Sequence, residues 1–138
     1  MKYFSVFILT IIILFGCTKN PPKQPDPDDI SRVDVQKVEA DGKYTDEVLI
    51  ADAKSLLTIK KAVNNISWSK AKAEMSKRED IKATLFYKWD KNQPELLFEY
   101  RIWFNKDDSA TIISNNSIEN YGQLEKDLAV KLRKALTE

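Results

Sequence analysis

The chain has 138 residues, enough for one compact domain with a single hydrophobic core. Its 22 Lys and Arg are nearly balanced by 21 Asp and Glu, so no overall field favours nucleic acid or an acidic polymer. Histidine is absent, which removes the commonest general base and the usual partner of a Ser or Cys nucleophile; a single cysteine excludes an intramolecular disulfide and a thiolate metal site.

Met1-Lys2 precedes an apolar run from Tyr3 to Phe15, broken only by Ser5 and Thr10, and then Gly16-Cys17. One positive charge, a short apolar core and a small residue at a cleavage point are the parts of a secretory signal. A helix over Tyr3–Phe15 would rise roughly 20 Å, short of a hydrocarbon core about 30 Å thick, which argues against a permanent span. Leu14-Phe15-Gly16-Cys17 resembles the lipobox of bacterial lipoproteins, with Phe15 a less usual occupant of its position. The resemblance implies that Cys17 becomes the first mature residue, carries a diacylglycerol on its sulfur and holds the protein on the outer face of the cell membrane. Thr18–Ser31 contains all but one of the five prolines and has no apolar period, so it reads as an extended stalk. The expected divisions are a signal at 1–16, the lipidated Cys17 with its Pro-rich linker at 17–31, and one domain at 32–138.

Within the domain, alternation at Val33 and Val35 predicts a strand over Arg32–Val38, followed by an Asp41-Gly42 turn and a short strand at Glu47–Ala51. Leu56, Ile59, Val63 and Ile66 recur at helical spacing, which predicts an amphipathic helix over Ala53–Ile66 with Asp52 as its cap. Ser67–Asp80 is ambiguous. Odd positions are apolar in Ile81–Trp89 and even positions in Leu96–Phe104, the mark of two half-buried strands. Setting Trp89 opposite Leu96 pairs Tyr87 with Phe98, Leu85 with Tyr100, Ala83 with Ile102 and Ile81 with Phe104 on one face. Ser109–Ser114 is a third strand of the meander and Asn115–Asn120 a loop. Leu124, Leu128, Leu132 and Leu136 then predict a terminal helix from about Tyr121 to Leu136. The order is ββαβββα, an α+β fold with helices packed on one face of an antiparallel sheet. With Trp103, Tyr121 and the Leu-spaced last helix, it resembles small cell-surface lipoproteins of Gram-positive bacteria, the YhfM-like kind, a resemblance that implies no particular activity.

No catalytic constellation is legible. Asp26, Asp28 and Asp29 lie in the stalk and Asp107-Asp108 in a tight turn, without the Gly and distal Glu of a calcium loop. The three glycines have no phosphate-loop spacing, so neither metal nor cofactor is expected. Lys60, Lys61, Lys70, Lys72, Lys77, Arg78, Lys82 and Lys88 make the middle of the chain basic, although Glu74, Glu79 and Asp80 interrupt them. The second face of the meander would present Phe86, Leu97, Arg101 and Trp103, aromatic and apolar groups among charges, as a candidate interaction surface. The functional expectation is therefore a lipid-anchored, non-catalytic module that binds an envelope protein or polymer. The alternative is a cell-envelope enzyme or inhibitor whose site sequence does not reveal.

Overall fold

The computed structural model describes residues 24–138. The expected signal, Cys17 and the first part of the expected linker lie outside those residues. The elements are β1 (Ile30–Lys37), β2 (Val48–Ile50), α1 (Ala53–Asn64), β3 (Ser67–Ser69), β4 (Ile81–Tyr87), β5 (Leu96–Phe104), β6 (Ala110–Ser114), β7 (Tyr121–Leu124) and α2 (Lys126–Thr137). All seven strands join one antiparallel sheet in the order β2-β1-β4-β5-β6-β7-β3.

Alternation decides which face each strand buries. Val33 and Val35 of β1, Ile81, Ala83 and Leu85 of β4, Tyr100 and Ile102 of β5, and Ile112 of β6 form one buried layer. Their cross-strand partners keep them on that face: Val33 pairs with Leu85, Ala83 with Tyr100, and Ile102 with Ile112. Over this layer lie Leu56, Ile59, Ala62 and Val63 of α1 and Ala129, Leu132 and Leu136 of α2. Burying these side chains is the main favourable term, at about 25 cal/mol per Å² of apolar surface. The α1 cap forms as expected, Ser55 N donating to Asp52 Oδ1 at 2.9 Å. The α+β architecture with helices on one sheet face is thus the observed one.

Three local expectations change. The β4–β5 register lies two residues from the one expected, with Leu85 opposite Phe98 and Ile81 opposite Ile102. A two-residue slip leaves every side chain on its own face, so the apolar pattern cannot choose between the registers; the observed one leaves Trp89 outside the strands. Tyr121–Leu124 is a strand rather than the first turn of the last helix. Leu124 fits the helical spacing by chance and is buried beside Ala110. The ambiguous segment opens with the edge strand β3, whose Trp68 lies opposite Gly122. A Cβ at Gly122 would come within 2.8 Å of two Trp68 ring carbons, so only glycine lets β3 close over β7.

The folded domain also starts earlier than residue 32. Pro27–Asp29 form a 3-10 turn capped by Asp26, and Ile30 is 1% exposed opposite Tyr87. Lys60 Nζ donates to the Asp28 carbonyl at 2.9 Å and Lys88 N to that of Asp29 at 2.8 Å. The end of the segment expected to be a stalk is therefore part of the fold.

Candidate functional site

The second sheet face differs from the open surface expected of it. Trp103 is 0% exposed, and its indole N–H donates to the Lys77 carbonyl at 2.9 Å. Asp80 N donates to the Ile102 carbonyl at 2.9 Å and Asp80 Oδ2 accepts from Phe104 N at 2.7 Å, which ties the charged segment after β3 along β5. That segment covers Trp103. Arg101 pairs with the buried Glu79 at 3.2 Å, and Tyr44 donates a short hydrogen bond to the same carboxylate. Burial alone would raise the Glu79 carboxyl; hydrogen bonds from Tyr44, its own backbone and Arg101 hold it below its ordinary value. Phe86 is buried under the Arg32 guanidinium, 3.6 Å from its ring centroid. Of the four proposed surface residues, Leu97 is exposed and Arg101 half-exposed, so no continuous aromatic patch exists on this face. Local alternation could not show this, because the cover comes from a segment without period.

Polar side chains are also buried on the helix-covered face, where Tyr100 lies opposite Ser114. Tyr100 Oη and Ser114 Oγ each donate at 2.8 Å to Glu119 Oε2, and Glu119 is 4% exposed. Burial pushes the Glu119 carboxyl up, against the pull of the two hydroxyls, and raises the Tyr100 and Tyr87 phenols as well. Asn116 continues the network, its backbone N–H donating to Ser114 Oγ at 3.0 Å and its side-chain oxygen accepting from Ile118 N at 3.1 Å. These bonds fasten the β6–β7 loop to β5. With the carboxyl enclosed, the cluster is structural.

A larger cleft lies elsewhere, at the β2 edge of the sheet. It measures about 800 Å³ and runs between β1–β2, the loop before β2, the start of α1 and the end of α2. Val35, Val48, Ile50 and Leu136 supply apolar walls. Asp46, Asp52, Ser55 and Glu138 bring carboxylates and a hydroxyl to its rim, which Tyr44 also lines while its own hydroxyl is taken up by Glu79. Asp52 is held below its ordinary value by the Ser55 backbone N–H first and the Ser55 hydroxyl second. It is thus a carboxylate anion beside the positive end of α1. Sequence marked Asp52 only as a cap; nothing in the pattern brings it to the same cleft as Tyr44 or Leu136, which come from opposite ends of the chain.

Among the described residues no helix is long and apolar enough to cross a membrane, and no group of three Cys, Asp or Glu side chains is arranged to hold a metal ion. No family model and no curated protein matches the chain. Its fold is similar to that of a thioesterase-like protein from Clostridium sporogenes, with a TM-score of 0.53 over 79% of this chain and 95% of that one. The two are 23% identical, so the likeness is one of fold. Together with the covered Trp103 face, it corrects the expectation of a non-catalytic binding module: the surface assigned to binding is closed, and the architecture is one shared with a thioesterase-like protein.

Proposed function

We propose that the domain is a cell-envelope hydrolase acting on acyl thioesters or esters, with the cleft at the β2 edge as its substrate site. The observation that carries this reading is the cleft itself, whose apolar walls suit an acyl chain and whose rim sets the ionised Asp52 beside Ser55 and the N-terminus of α1. The fold of the thioesterase-like protein supports it.

Hydrolysis without histidine needs another base, and a carboxylate fills that role. Water attacks the acyl carbonyl as Asp52 takes its proton; the tetrahedral intermediate then expels the thiolate or alkoxide, which receives the proton from Asp52. Negative charge developing on the carbonyl oxygen is favoured by the positive end of α1. Because Asp52 is held below its ordinary value of 3.8, the rate should stay level from neutral pH downward and fall only in the acid range.

Thiol release from acyl thioesters of graded chain length, measured with the whole protein, tests this. Asp52→Asn is the informative variant, because Asn caps a helix as well as Asp and removes only the base. The expected result is a fall in kcat/KM on the order of 100-fold or more with a melting temperature lower by no more than about 4 °C, from loss of the anion at the end of α1. Equal rates in the two proteins, or no turnover at any chain length, would refute the proposal.

We also propose a lipid-anchored address for the domain. The lipobox-like Leu14-Phe15-Gly16-Cys17 supports a lipid anchor on Cys17 and an extracytoplasmic domain. Cys17→Ser is expected to abolish membrane retention, checked by fractionation; a variant that stays with membranes at mature size speaks against the anchor.

A further inference from the structure

The two ends of the sheet differ in what they expose. At one end β1 begins, β4 ends and β5 begins, since Ile30 pairs with Tyr87 and Tyr87 with Leu96. The β6–β7 loop belongs to the same end, held there by Asn115 N donating to the Glu99 carbonyl at 3.1 Å and Glu99 N to Asn115 Oδ1 at 2.9 Å. This end carries Trp89, Leu96, Leu97 and Ile118, 39–52% exposed. The opposite end is formed by the turns around Asp41 and Asp107, which are rich in charge.

The apolar end is also where the chain enters the domain. Gln24, Pro25 and Asp26 form one wall of an apolar cleft of about 260 Å³, and Tyr87, Trp89, Leu96 and Phe98 the other. Cys17 lies seven residues before Gln24, a reach of roughly 20–25 Å in extended chain. A domain tethered there by so short a segment hangs with this end nearest the anchor. Lys88 and Lys91 are matched by Asp90 and Glu95, and Glu95 Oε1 is turned back to accept from Ser31 Oγ at 3.0 Å, but Asp26 and Asp29 also line this cleft, so the charge suits a zwitterionic headgroup layer rather than an anionic one.

We propose that this end of the sheet docks into the headgroup region of a lipid bilayer, with Trp89, Leu96, Leu97 and Ile118 as the inserted groups. Trp is suited to that depth because one side of its ring is apolar and its N–H is polar. The proposal takes from the lipobox reading the position of the anchor. It also orients the proposed substrate cleft, which lies past the other end of β1 near Lys37 and Glu39 and so opens toward the aqueous side.

Quenching of tryptophan emission tests the proposal. The protein with its N-terminus intact is reconstituted in phosphatidylcholine vesicles whose acyl chains carry bromine close to the headgroup. Of the three tryptophans, Trp103 is buried and Trp68 packs on the core, so only Trp89 is placed to meet the bromines. Wild type should lose about a third of its emission, Trp89→Phe should lose none, and Leu97→Asp, at a half-exposed position outside the core, should halve the loss or more. No quenching in wild type, or equal quenching in Trp89→Phe, overturns the proposal. The mass of the N-terminal peptide from the same sample separates the two readings. Quenching with an unmodified Cys17 supports docking and refutes only the anchor; a lipidated Cys17 without quenching refutes docking and leaves the anchor standing.

Discussion

Truncating Trp103 tests the account of the second sheet face most sharply. Trp103→Ala removes a fully buried indole near the end of β5, pairing with Thr111, and leaves the Lys77 carbonyl without its donor. Large-to-small changes of this kind cost about 3–5 kcal/mol, and an orphaned carbonyl adds about 1 kcal/mol or more. With whole-domain stabilities of about 5–15 kcal/mol, that is a large share of the total. For a domain of this size the melting temperature should fall by roughly 17–25 °C. Urea denaturation followed by far-UV circular dichroism measures the free energy, and Leu97→Ala on the same strand and face serves as the exposed control, expected within about 1 kcal/mol of wild type. If Trp103→Ala costs less than about 1 kcal/mol, the segment after β3 does not cover the indole and the description of this face is wrong.

Gly122→Ala forces a methyl against Ile66 and the Trp68 ring and should destabilise by about 1–3 kcal/mol in the same assay; an unchanged stability would mean that β3 is not seated on β7. Glu119 gives a pH signature of definite sign. Its carboxyl is raised in the folded state, so its contribution is full below the unfolded value near 4.5 and is lost as pH rises through the folded value. Relative to wild type, Glu119→Gln should therefore be more stable at pH 7 than at pH 4, and a difference independent of pH would refute the burial argument.

How much of this fold sequence discloses depends on whether a period or a contact decides the feature. Helix α1, its Asp52 cap and strands β1, β2, β4, β5 and β6 each carry their own signal, either a run of alternating side chains or a 3.6-residue stripe, and these emerge as expected. Where a segment is too short to show a period, chance takes over. Tyr121–Leu124 has four residues, and one leucine at the right distance from Leu128 is enough to read it into the helix. Neighbouring polar residues did not correct this, because Gly122 acquires meaning only once Trp68 lies across it.

The candidate site was less legible for a related reason: its parts come from elements that no local pattern connects. Asp52 precedes α1, Tyr44 sits in the loop before β2, and Leu136 ends α2, so their convergence is a property of the β2-β1-β4 edge and of the packing of α1 on α2. The same logic explains why the second sheet face misled. Phe86 and Trp103 have the alternation of outward-facing residues and do point away from the helices, yet burial depends on what lies above them, and that cover is a charged segment with no period of its own. Alternation reports direction; exposure requires knowledge of the rest of the chain. Exposed apolar groups are therefore informative only after the fold is known. Trp89 comes from the loop after β4, Leu96 and Leu97 from the start of β5 and Ile118 from the loop after β6, and only the register of those strands gathers them at the end of the sheet where the chain enters.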